Sequence, residues 1–310
     1  MRPVAMLAAA LGGIVLIGAG FTPHVNPDAD AYWHAALRLR EGLPLYGGPR
    51  GDETEIYRYA PWFAFAWVPL TYLGQANAYL AWRGLLLVAA VAAAWPLLRT
   101  RSPAAITLAV LVFCLMISNL PAANVTTVIV GVLAVGLPTR AGPALLGLAG
   151  SLKIFPLLFV AGYVAERRWR DTAVAVGVAA ILWLPVLAFN VSTYPTAIGG
   201  TSFYVGGTSL YAISPVLWGV AAGVVGALLV LLIARRSPWA WLAAGAAIST
   251  VVPRAWLPDA AYVLPAAIML LRSAKGLGAS RGAGYPVRPR RQPAVAPLLE
   301  KRDAAALRIH

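Results

Sequence analysis

YLAWRGLLLVAAVAAAWPLL, from Tyr79 to Leu98, decides the fold class of this chain. It is an apolar run with a single charge, Arg83, and it has the roughly 20 residues that an α-helix needs to cross about 30 Å of hydrocarbon. A second run, VAMLAAALGGIVLIGAGF from Val4 to Phe21, has the same character. Only Arg2 stands before it, a short charged region for a cleaved signal peptide despite the small residues Gly18 and Gly20, so it reads as a retained span. The whole chain agrees: 60% of its 310 residues are hydrophobic and 12% are charged, against about a quarter charged in a soluble domain. A water-soluble fold is excluded, and an all-α, polytopic transmembrane bundle is expected.

Working outward, ten apolar segments are legible, at about residues 4–21, 60–73, 78–98, 104–118, 124–138, 142–165, 171–189, 211–234, 238–252 and 259–272. Lys and Arg in short loops mark the cytoplasmic side. The run ERRWR (Glu166 to Arg170), the pair Arg235 and Arg236, and the tail from Arg272 are therefore placed inside. Ten spans with both termini cytoplasmic satisfy all three and put Thr22 to Tyr59, Asn190 to Leu210 and Pro253 to Pro258 outside. That count leaves Arg99, Arg101 and Arg140 outside as well. Treating 60–73 and 142–165 as re-entrant moves them inside and leaves eight spans; ten is the favoured reading. The expected organisation is a membrane domain over 1–272, with 22–59 as its first outer loop, and a disordered, basic cytoplasmic tail over 273–310, rich in Gly, Pro and Arg.

The net charge of +14 does not indicate nucleic acid, because nine of the 25 basic residues lie in the last 39 and form no folded basic domain. They suit anionic lipid instead. Cys114 is alone in an apolar run and reads as packing. His24, His34 and His310 have no metal-ligand spacing, and neither a phosphate-binding Gly-Lys loop nor a dinucleotide fingerprint is present. No metal and no soluble cofactor is expected.

The acids are the informative residues. Asp28, Asp30, Glu41, Asp52, Glu53 and Glu55 are six of the chain's eleven, and all fall in the first outer loop. From Ala29 to Glu41 that loop has helical periodicity, with Tyr32, Ala35, Ala36 and Leu39 on one face and Gly42 as the stop. The expected helix lies on the membrane surface with its apolar side down, and Tyr32 and Trp33 suit that interface. Asp28 at its start either caps the helix or presents a carboxylate to a ligand. Asp30 either complements the helix dipole or shares that chemistry.

The stretch DADAYWHAALRLREGLPLY, followed by YRYAPW and PLTYL, resembles the first outer loop and second helix of the polyprenyl-phosphate-mannose-dependent mannosyltransferases, glycosyltransferase family 87 of the GT-C class. Asp28, Tyr32, Ala35, Ala36, Gly42, Leu45 and Tyr46 fall on the family's spacing, and Tyr59-Ala60-Pro61 stands where Tyr-Pro-Pro is usual. GLAGSLKIFPLLFVAGYVAERRW (Gly147 to Trp169) and PRAWLPDAAYVLP (Pro253 to Pro265) resemble later family segments. Asn124 occupies the place of a Gly-Gln-Asn segment whose Gly and Gln are absent here.

The resemblance implies inverting transfer of a sugar, most often mannose, from a polyprenyl phosphate to an envelope lipid or glycan at the outer face. Such a transfer needs a base for the acceptor hydroxyl, and a carboxylate at the membrane surface can serve. Asp28 is the first choice and Asp30 the second. The leaving lipid phosphate needs cations, for which Arg58, Arg254 and Lys153 are candidates, with Tyr32 and Tyr59 as substrate-binding residues. An Arg near a helix end also snorkels for structural reasons alone. Lys153, within an apolar segment, binds a ligand or pairs with a backbone carbonyl. The aromatic loop Asn190 to Tyr211 is a candidate cover over a sugar. Two other classes fit the same composition: a sugar or lipid transporter using Lys153, and an inactive scaffold of the same fold.

Overall fold

The computed structural model describes residues 18, 27–46, 56–99, 102–189, 214–251 and 257–282. The chain divides into two units, Met1–Ser273 and Ala274–His310, and of the second only helical backbone up to Gly282 is described.

Every regular element among the described residues is helical. The α-helices are α1 (Pro27–Glu41), α2 (Pro61–Trp67), α3 (Gln75–Leu98), α4 (Pro103–Ile117), α5 (Thr126–Gly136), α6 (Gly142–Leu152), α7 (Val160–Ala165), α8 (Trp169–Trp183), α9 (Pro215–Ala234), α10 (Ala240–Thr250) and α11 (Val263–Gly282). Short 3-10 stretches at Val68–Leu73, Phe155–Phe159, Leu184–Ala188 and Leu257–Tyr262 extend or introduce several of them. Sequence explains the boundaries. Ser102 and Ser214 each stand before a proline and accept a hydrogen bond from the backbone two residues beyond it, the pattern of an N-cap with Pro at the first helical position. Gly42, at φ 67°, closes α1 in the left-handed conformation: its N–H reaches Leu39 O and the Leu43 N–H reaches Arg38 O. Arg167 and Arg236 close α7 and α9 with the same bond pattern.

Among the described residues three helices are long and apolar enough to cross a membrane: Gln75–Leu98, Trp169–Ala188 and Val216–Ala234. None of the apolar window of the third is buried, and Val216, Val220, Val224 and Val230 stand open. Apolar surface of that extent suits hydrocarbon surroundings and not water. Shorter apolar helices pack between the long ones.

One of the expected segments lies along α1 and another is broken. Residues 60–73 begin at Tyr59, which bonds Tyr32 of α1, and end beside Gln75, which bonds Asp30 of the same helix. Both ends therefore meet α1. Residues 142–165 do not form one helix: Lys153 is extended (φ −135°, ψ 132°), and Leu157 beyond the break packs against Gly150 before it. Close packing of small residues holds these pieces. A Cβ on Gly147 would lie 2.5 Å from Ala175 O of α8, and one on Gly131 of α5 would lie 2.7 Å from Ala89 O of α3. Small residues let membrane helices approach to this degree.

Two expectations are corrected. The apolar face of α1 is not turned to lipid, because α2, the Val68–Leu73 turn and α3 cover it, and Tyr32, Ala35 and Ala36 are fully buried. An amphipathic stripe satisfies its hydrophobicity against protein as well as against acyl chains, so periodicity alone did not distinguish the two. The last helix also runs past residue 272 to Gly282. Once a helix is established each further residue adds one hydrogen bond, and Ala, Lys and Leu in this stretch are good helix formers. Residues 283–310, like the first expected span over 4–17 and 19–21, lie outside the described residues.

Candidate functional site

Tyr32 anchors the site. Its ring lies 4.9 to 6.0 Å from those of Tyr59, Phe63, Trp67 and Trp82, mostly edge to face, so α1 is clasped to α2 and α3 by aromatic contacts worth about 0.5–1.5 kcal/mol each beyond their buried area. The hydroxyl at the end of this ring donates to the Tyr59 hydroxyl (3.0 Å) and accepts from the Val125 N–H (3.2 Å). Burial pushes both phenols well above their ordinary value of 10.0. The other phenol and then Asp28 add to the rise at Tyr32, and Asp28 adds to it at Tyr59. Asp28 is thus close enough to act on both hydroxyls, one helical turn before Tyr32 on the same face of α1. Arg58 acts on Tyr59 in the opposite sense.

The Val125 bond brings in a second strip of chain. Between α4 and α5 the backbone passes through Ala123 at φ 57°, an uncommon conformation for a residue with a side chain and one that collects at functional sites. Trp82 Nε1 donates to Ala123 O (2.7 Å), and Asn119 Nδ2 donates to Asn124 O (3.1 Å). Asn124 Oδ1 accepts from the Thr126 N–H (2.9 Å), which makes Asn124 the residue that starts α5. Its side chain shapes the loop.

Thr126 then joins two charges distant in sequence. Lys153 Nζ donates to Thr126 Oγ1 (2.6 Å), Thr126 Oγ1 donates to Asp259 Oδ1 (3.2 Å), and Lys153 Nζ lies 3.8 Å from the same carboxylate oxygen. Asp259 is 7% exposed, and Ser249 of α10 donates to its backbone carbonyl (3.0 Å). Val125, which bonds Tyr32, and Thr126, which bonds Lys153 and Asp259, are chain neighbours, so the two groups of contacts adjoin. Lys153 stands at the tip of the break between α6 and Phe155–Phe159, where the negative end of the α6 dipole favours a cation. Next to it Ser151 accepts from Trp62 Nε1 of α2 (3.0 Å), tying the tip to the helix that follows Tyr59.

Asp30 faces another way. It accepts from Tyr79 Oη (2.9 Å) and Gln75 Nε2 (3.3 Å) and lies 3.3 Å from His34 Nε2, binding α1 to α3. Asp28 and Asp30 therefore serve different faces of α1. Of the other sequence candidates, Tyr32, Tyr59 and Lys153 are linked through Val125 and Thr126, and Asp28 and Arg58 act electrostatically on Tyr59, while Arg254 lies outside the described residues, as do Asp52, Glu53, Glu55 and the loop 190–210. Tyr32 is fully buried, so it orders the site from behind and does not present a surface.

Asp259 and Thr126 were missed by sequence reasoning. Asp259 was the available signal: apart from Asp28 and Asp30 it is the one described acid outside a helix end rich in arginine. Among the described residues no group of three or more His, Cys, Asp or Glu is placed to hold a metal ion. Comparison with protein-family models, with curated proteins and with solved structures finds no match.

Proposed function

We propose that this protein is a membrane glycosyltransferase that moves a sugar, mannose by the resemblance of its first outer loop, from a polyprenyl phosphate to an envelope lipid or glycan. The observation that carries the reading is the link from Lys153, at the tip of a chain break, through Thr126 and Val125 to the Tyr32–Tyr59 pair, with the Asp28 carboxylate one turn before Tyr32 on the same helix. Transfer needs those two charges: a base for the acceptor hydroxyl and a cation for the leaving phosphate.

In the proposed reaction Asp28 takes the acceptor O–H proton as the oxygen attacks the anomeric carbon. The bond from that carbon to the phosphate oxygen breaks, the configuration inverts, and polyprenyl phosphate leaves. Charge passes from Asp28 to the phosphate, where Lys153 and Arg58 stabilise it. No metal or soluble cofactor takes part in this scheme; the lipid-linked sugar is a substrate.

The site end of the bundle is assigned to the outer face. Following the chain, α5 starts and α6 ends at the site, so Arg140 between them lies at the far end of both, and Arg99 is at the far end of α3. The break at Lys153 and the bonds from both ends of 60–73 to α1 fit the eight-span scheme, with Arg99, Arg140, Glu166–Arg170 and Arg235–Arg236 on the cytoplasmic side. Incubating the purified chain in lipid with labelled polyprenyl-phosphate mannose and an envelope lipid extract tests the function. The expected result is label in a new glycolipid; movement of the lipid across the bilayer without covalent transfer would favour a transporter and overturn the reading.

A further inference from the structure

We propose that Asp259 is a positioning residue that holds the Lys153 ammonium while the site is empty and then drives out the spent carrier. The inference rests on the transfer reading above. An ammonium in an apolar segment needs a partner, and the Asp259 carboxylate, held by Thr126 while Ser249 bonds the Asp259 backbone carbonyl, supplies one. The clamp is loose. Lys153 Nζ is 2.6 Å from Thr126 Oγ1 but 3.8 Å from Asp259, beyond hydrogen-bond distance. An ammonium has three donors, so this arrangement orients the cation while leaving donors for a phosphate.

The charge balance of the reaction gives Asp259 its second role. The donor is a phosphodiester with one negative charge. When the anomeric carbon–oxygen bond breaks and the acceptor proton moves to Asp28, the departing phosphate becomes a monoester with about −1.5 to −2 charges at neutral pH. Asp28 is then neutral and no longer repels it. Asp259 keeps its charge, sits beside the cation that holds the phosphate, and disfavours the monoester over the diester. Its repulsion of the extra charge is on the order of tenfold in affinity at the effective dielectric of a protein site.

The test uses the full chain in lipid nanodiscs with a short-chain polyprenyl monophosphate and its monomethyl diester as competitors of labelled donor. Wild type is expected to bind the diester at least as well as the monoester. In Asp259→Asn, inhibition by the monophosphate is expected to strengthen by about tenfold, with a burst of product followed by slow turnover. A purely structural loss would weaken both competitors together. Equal or weaker monophosphate inhibition in Asp259→Asn overturns the proposal. Should that variant not fold, the wild type decides, because tighter binding of the monophosphate than of the diester contradicts it. A wild type that transfers no sugar and binds neither competitor defeats the transfer reading itself.

Discussion

The Tyr32 hydroxyl connects three parts of the chain, since it bonds Tyr59 ahead of α2 and the Val125 N–H ahead of α5 from within α1. Removing it leaves a buried backbone N–H without its acceptor, which costs about 1–3 kcal/mol. Tyr32→Phe should therefore lower the thermal midpoint of the purified protein while the aromatic cluster keeps it folded; an unchanged midpoint would show that the bond contributes nothing. The same burial predicts the pH response. Both phenols are held well above their ordinary 10.0, so below pH 10 folded and unfolded chains carry the same protons. Above it the unfolded chain ionises first, and the stabilising contribution, complete below pH 10, is lost as pH rises through the folded values. Phenolate absorbance should show these two tyrosines ionising only together with unfolding. Ionisation ahead of unfolding would contradict their burial.

At the scale of elements, the helix contacts that position Lys153 depend on glycine. Gly147→Leu would drive a side chain into Ala175 O and Val178 of α8, so α6 must move, and with it the Lys153 tip. Overpacking of this kind costs about 1–3 kcal/mol. Reduced thermal stability together with weakened binding of a phosphate lipid is expected; stability lost with binding intact would separate the tip from α6. The apolar runs made nearly every described helix legible in the sequence, since length and hydrophobicity determine whether a segment suits hydrocarbon. They left open whether 60–73 and 142–165 are spans or re-entrant pieces, because the break at Lys153 depends on its extended backbone and on Leu157 meeting Gly150. Nor could periodicity say what covers Tyr32. The site was legible where its residues carry charge, at Asp28 and Lys153. It was hidden at Thr126 and Asp259, which meet across 133 positions of chain and whose types are individually unremarked.

Across the whole molecule, the proposed arrangement puts Asp28, Lys153 and the Tyr32–Tyr59 pair at one end of the helices and the loop arginines Arg99, Arg140, Arg167 and Arg236 at the other. Single cysteines in a Cys114→Ala background test this in intact cells. Labels at Gly42 and Leu43 should react with an impermeant thiol reagent, and labels at Arg140 and Arg236 should react only after the membrane is opened. Labelling of both sets from the same side would overturn the assigned orientation. The most direct test of the central claim is the single-turnover rate of sugar transfer from polyprenyl phosphate by Asp28→Asn and Asp30→Asn beside wild type. The account predicts a loss of about 10²–10⁴-fold for Asp28→Asn, the usual contribution of a general base. Asp30→Asn should retain most of its rate, because an amide oxygen still accepts from Tyr79. Wild-type transfer by Asp28→Asn would contradict it.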